Sequence, residues 1–151
     1  MEHAYGLDIP RTVEEVCHPQ HMAVIVYDMQ IGIAGQALNA QQVTAKVVSV
    51  VAAARQGGFR IFFSRDLSLP NEAAGVSQLR TAMAWQRKDK AEDVKPIFPR
   101  YSPQARILPE VTPLESEVIL DKSGMSFLWE RHLKWYCGIA ALAPLRSLAL
   151  Y

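Results

Sequence analysis

Three short apolar runs, each ending abruptly in charged residues, constrain this chain more than any other feature. The first is Met22-Ala23-Val24-Ile25-Val26-Tyr27-Asp28. The second is Phe59-Arg60-Ile61-Phe62-Phe63-Ser64, followed by Arg65-Asp66. The third is Glu117-Val118-Ile119-Leu120, followed by Asp121-Lys122. Short continuous runs of β-branched and aromatic residues are the signature of strands buried on both faces. After Asp28, Gly32 and Gly35 mark a turn. Asn39 then stands at an N-cap position, with Gln42 at capping-box spacing. Val43, Val47, Val50, Val51 and Ala54 fall on one helical face, and Gly57-Gly58 supplies the stop. Strand, helix and strand joined by short connections form a βαβ unit with parallel pairing.

The predicted class is therefore α/β: a mostly parallel sheet flanked by helices in three layers. Val76, Leu79 and Met83 predict a second helix ending near Trp85. Residues 95–113 hold five of the nine prolines, which predicts an ordered loop excursion rather than a helix. With 151 residues and 50% hydrophobic content, the chain can bury one ordinary core. Lys and Arg number 16 against 15 Asp and Glu, a net charge of +1. That balance gives no electrostatic ground for nucleic acid or an anionic membrane as partner. Cys17 and Cys137 are too few for a disulfide scaffold and lack zinc-finger spacing. No leader pattern opens the chain and no apolar run has membrane-spanning length, so the expected compartment is the cytoplasm.

In an open parallel sheet, ligands bind outside the carboxyl ends of the strands. The pattern thus predicts Asp28, the Arg65-Asp66 pair and Lys122 around one crevice. A carboxylate at the end of a buried strand is partly desolvated, which suits a general base. The alternative for Asp28 is a carboxylate that accepts loop N–H bonds. Lys122 can hold an anion or the charge of an intermediate, or simply pair with Asp121 or Asp28. Arg65 can grip a substrate carboxylate bidentately, or pair with Asp66. Trp85 and Gln86 can line a pocket or a subunit contact, while the simpler expectation for Trp85 is core packing. His18 and His21 read as solvated loop histidines. A phosphoaspartyl protein uses the same geometry, with Asp28 as acceptor, but needs a second nearby carboxylate for Mg²⁺. Met29-Gln30-Ile31 supplies none, and Asp66 is a weak substitute.

Three segments resemble the isochorismatase-like cysteine hydrolases. They are Ala23-Val24-Ile25-Val26-Tyr27-Asp28-Met29-Gln30, Gly58-Phe59-Arg60-Ile61-Phe62-Phe63-Ser64-Arg65-Asp66, and Val118-Ile119-Leu120-Asp121-Lys122-Ser123-Gly124-Met125-Ser126-Phe127. They occur in order at suitable spacing, and the resemblance covers roughly residues 20–127. It implies a Rossmann-like isochorismatase fold and a Cys–Asp–Lys triad, with Asp28 as base and Lys122 as orienting cation. Gln30, Arg65 and Trp85 become substrate-binding candidates. The implied reaction is thiolate attack on the carbonyl of an amide-type C–N bond, or a related cleavage, in a small metabolite. Nicotinamidases of the family bind zinc through Asp-x-His after the second strand. This chain has Asp66-Leu67-Ser68 there, so neither metal nor cofactor is expected. The implied partners are a small-molecule substrate and, for the intact family form, further copies of itself.

After Phe127 the resemblance fails. Two of the three tryptophans fall in residues 128–151. With one choice of synonymous codons, adding a single T to the T-run at Phe127 yields Phe-Phe-Val-Gly-Thr followed by a helix-like and a strand-like run. Trp129 has one codon, TGG, and with a Glu130 codon after it the recovered glycine is forced. The expectation is residues 1–127 as the N-terminal part of the hydrolase domain and residues 128–151 as an aberrant, frameshifted tail. Cys137 would then be incidental, Cys17 precedes the first strand, and the chain as written would lack its nucleophile and be inactive. With its final strands missing, the half-sheet would be aggregation-prone. A non-catalytic small-molecule-binding or oligomer-partner protein is the alternative from another class.

Overall fold

The structure is a computed structural model and describes residues 1–124. The predicted tail boundary at Phe127 and Cys137 lie outside the described residues.

The chain opens with a hairpin that the hydrophobic pattern did not announce, β1 (Glu2–Ala4) and β2 (Leu7–Ile9), paired antiparallel. Its two-residue turn places Tyr5 at φ 54° and Gly6 at φ 75°. Two successive positive φ values match the twist of a hairpin, and glycine adopts one without strain. A short helix α1 (Val13–Val16) follows, capped by the Thr12 side chain on the Glu15 N–H. Ion pairs from the N-terminal ammonium to Glu15 and from Arg11 to Glu2 tie the hairpin to this segment.

The three predicted strands form as β3 (Ala23–Val26), β4 (Arg60–Asp66) and β5 (Val118–Lys122). They make one parallel sheet in the order β3-β4-β5. Between β3 and β4 run α2 (Ile31–Ala34) and the long helix α3 (Ala40–Gln56); α4 (Val76–Gln86) follows β4. Residues 95–113 form an ordered excursion with short 3₁₀ turns.

Helix α3 ends as Gly57-Gly58 predicts. Gly58 takes φ +72°, its N–H donates to Arg55 O, and the Phe59 N–H donates to Ala54 O. This is the Schellman arrangement, which needs a left-handed residue at that point. The start of the helix differs from expectation, because the Asn39 side chain makes no capping bond. The buried face is also rotated. Val51 and Ala54 are buried and Val47 and Val48 pack against the core, whereas Val43 and Val50 face solvent. Neighbouring helical positions diverge by about 100°, so Val50 and Val51 cannot both meet the sheet.

Alternation along the strands divides the interior. Val26, Ile61 and Phe63 pack with Val51, Ala54 and Val111 on the α3 side. Phe62 and Leu120, with Ala23 and Val118, form a cluster on the other face. Helix α4 forms where predicted but buries none of its residues. Among the described residues, no helix is long and apolar enough to cross a membrane.

Candidate active site

The site lies where β3, β4 and β5 end. Registers pair Arg65 with Asp121 and Asp66 with Lys122. Successive strand residues point to opposite faces, so the charged cluster predicted as one group divides in two. Arg65 makes a bidentate pair with Asp121, at 2.7 Å from Nε and 3.0 Å from its terminal nitrogen. Arg100 adds a third bond to the same carboxylate at 2.7 Å. Asp66 and Lys122 lie on the opposite face, where Asp28 joins them. Arg65, expected at the substrate crevice, is therefore committed to Asp121.

Lys122 is the centre of the other group. Its side chain is 3% exposed, and Nζ lies 2.8 Å from Asp28 Oδ2 and 3.6 Å from Asp66 Oδ1. Nζ also donates to the Gly124 carbonyl at 3.2 Å and lies 5.0 Å from the centroid of the Tyr27 ring. Burial works against its charge. The hydrogen bond to Asp28 and the negative charges of Asp66 and Asp28 outweigh that effect and hold the pKa above the ordinary 10.5. Lys122 is thus a fixed cation between two carboxylates, not a base.

Asp28 takes φ 50°, a left-handed conformation just past the end of β3, a strand expected to be buried on both faces but in which Val26 is buried and Ile25 remains 38% exposed. Its N–H donates to Ser64 Oγ at 3.0 Å, and Ser64 Oγ donates back to Asp28 Oδ1 at 2.6 Å. Ser64, given no role by the strand-end pattern, is 1% exposed. It lies two residues before Asp66 on β4, so period-two alternation alone puts it on the face of Asp66 and Lys122.

Gln30 is fully buried. Its Nε2 donates to Asp66 O at 3.0 Å and Ala105 O at 3.1 Å, and its Oε1 accepts the Asp66 N–H at 2.6 Å. Its own N–H donates to Asp28 O at 2.7 Å. The expected substrate-binding amide is spent on main chain and braces the strand ends. Close packing continues at Gly32, where a Cβ would stand 2.7 Å from Phe98 Cε1.

A cavity of about 390 Å³ opens beside Asp66, walled by Leu67, Leu79, Trp85, Phe98 and Ser123 among others. Trp85 is 57% exposed on this wall, so it is not a core residue. Cys17 is an exposed free thiol. At the Asp66-Leu67-Ser68 position, Ser68 Oγ accepts the Ile97 and Phe98 N–H groups, while Lys122 approaches Asp66. An ammonium beside the carboxylate and a serine where an imidazole would be needed do not fit zinc. Among the described residues, no three His, Cys, Asp or Glu side chains are grouped to hold a metal ion.

The isochorismatase domain model matches residues 22–138, a range that runs past Phe127. Among solved structures, N-carbamoylsarcosine amidase from Thermoplasma acidophilum is similar with a TM-score of 0.58 and 16% identity, covering 78% of this chain and 61% of that one. An isochorismatase from Pseudomonas putida is similar with a TM-score of 0.52 and 16% identity, covering 89% of this chain and 61% of that one. The chain thus spans about 61% of the length of each, and at such identity the likeness is one of fold. A search of curated proteins gives no match. With the domain model covering most of its length and a parallel sheet that ends in an Asp–Lys pair, this chain belongs to the isochorismatase family.

Proposed function

We propose that the chain carries the acid–amine half of a thiol-dependent hydrolase centre for an amide-type C–N bond in a small metabolite. The observation that supports this is the buried contact of 2.8 Å between Lys122 Nζ and Asp28 Oδ2 at the carboxyl ends of the strands. In the complete centre, Asp28 takes the proton of a cysteine thiol. The thiolate attacks the carbonyl carbon, the C–N bond breaks, and the amine leaves with that proton. Water then attacks the thioester carbonyl, releasing the acid and restoring the thiol. Lys122 orients Asp28 through the 2.8 Å contact and offsets negative charge that develops nearby. The small-molecule substrate and assembly with further copies belong to this same reading.

The sulfur is the missing member. Cys17 is exposed, and Cys137 stands at the very end of the family-model match, beyond the last of the three matching segments, so we read it as incidental. We read residues 128–151 as the product of a lost base near the Phe127 codon, and the chain as written as inactive. The test is ammonia release from small carboxamides and N-carbamoyl compounds by the purified chain, with resequencing of the Ser126–Trp129 codons. The expected results are no release above the blank and one base fewer than in close relatives. Hydrolysis that disappears in Cys137→Ala would show that this chain already has its nucleophile.

A further inference from the structure

We infer that Ser64 is the positioning residue for Asp28, a role that rests on the reading of Asp28 as the base. Asp28 is one of three non-glycine residues with positive φ among those described. The other two occupy ordinary places for it: Tyr5 in a hairpin turn and Arg87 at the C-cap of α4. Asp28 instead sits at the mouth of a parallel sheet; aspartate adopts the left-handed region more readily than most L-residues, and the residual strain is offset by contacts around it.

Ser64 restrains it through two such contacts from one atom. Its Oγ accepts the Asp28 N–H at 3.0 Å, which fixes the backbone, and donates to Oδ1 at 2.6 Å, which fixes the side chain. A hydroxyl has a single hydrogen, so the direction of this pair of bonds is settled. With Oδ1 held, Oδ2 is the oxygen turned to Lys122 at 2.8 Å. Ser64 cannot follow Asp28 if that residue moves. It is 1% exposed in the central strand, and β5 pairs it with Leu120. Only serine or threonine can accept and donate through one oxygen this close to the main chain. A side chain that merely filled space here would need no hydroxyl.

The experiment compares Ser64→Thr with Ser64→Val, which match in shape and differ by the hydroxyl, in the full chain. Two NMR readouts are followed: hydrogen exchange of the Asp28 amide, and the Lys122 Nζ–H signal, visible when the ammonium is held in a persistent contact. The valine variant is expected to speed Asp28 exchange by about tenfold or more and to lose the Lys122 signal, while threonine preserves both. A folded valine variant with both readouts unchanged overturns the proposal. Should valine not fold, the wild-type protein decides: an Asp28 amide exchanging at the random-coil rate refutes the restraint, and protection of about tenfold or more that persists in Ser64→Thr supports it. Neither readout needs turnover, so a failure here is distinct from a failure of the hydrolase reading.

Discussion

Replacing Lys122 by methionine tests the electrostatic core of the site. The substitution keeps an unbranched side chain of nearly the same length but removes the ammonium that lies against both Asp28 and Asp66. At an effective dielectric constant of about 20, a 2.8 Å contact between unit charges is worth about 6 kcal/mol and a 3.6 Å contact about 4.6 kcal/mol. Desolvation of an ammonium that is 3% exposed offsets several kcal/mol of that sum. What remains matches the usual cost of stripping one partner from a buried pair, about 3–5 kcal/mol. Urea denaturation of wild type and Lys122→Met at neutral pH should show that gap. It should also close at high pH. Folding raises the Lys122 pKa above 10.5, so its stabilisation is complete below that value and is lost as pH climbs through the higher folded one. Equal stability of the two proteins at neutral pH, or a gap that stays constant through strongly alkaline pH, would refute the reasoning.

Other substitutions probe the scaffold around the site. Gln30→Ala removes three main-chain hydrogen bonds, from the Asp66 N–H and to the Asp66 and Ala105 carbonyls, and should destabilise by about 2–4 kcal/mol in the same denaturation assay. Gly32→Ala forces a Cβ to 2.7 Å from Phe98 and 2.8 Å from the Gln104 Cβ; a loss of about 1–3 kcal/mol in thermal or urea melts is expected. Glu117 accepts two bonds of 2.8 Å from Arg55, and these hold its pKa below 4.5 despite burial. Its contribution is therefore present above pH 4.5 and lost as pH falls through the lower folded value. Glu117→Gln should cost about 1.5–3 kcal/mol at neutral pH, and much less once pH falls below the lowered folded pKa of Glu117.

The fold was legible where apolar runs were continuous and where glycine punctuated them. All three parallel strands, α3 and its Gly57-Gly58 stop, and α4 follow from that pattern. The N-terminal hairpin was not legible, because Leu7 and Ile9 remain exposed and leave little burial signal. The site was legible in part. Asp28 and Lys122 stand out as strand-end charges, and the structure brings them together. The separation of Arg65 from Asp66 was written in the two-residue period of β4, although their shared place at the strand end made them one cluster. Ser64 escaped, and Gln30 was assigned to substrate rather than to the scaffold, because their importance comes from main-chain atoms that only the tertiary fold brings near, the Asp28 N–H for Ser64 and Asp66 and Ala105 for Gln30. Asn39 shows the converse. Packing of Val51 and Ala54 on the sheet sets the helix, and the side-chain cap is dispensed with.

The most direct test of the central claim is turnover by the gene product with one thymine restored in the T-run at the Phe127 codon, measured as ammonia released from small amides. Release by that product, abolished by Asp28→Asn and absent from the chain as given, is the predicted result. Release that is indifferent to Asp28→Asn would contradict the assignment of Asp28 and Lys122 to a hydrolase centre.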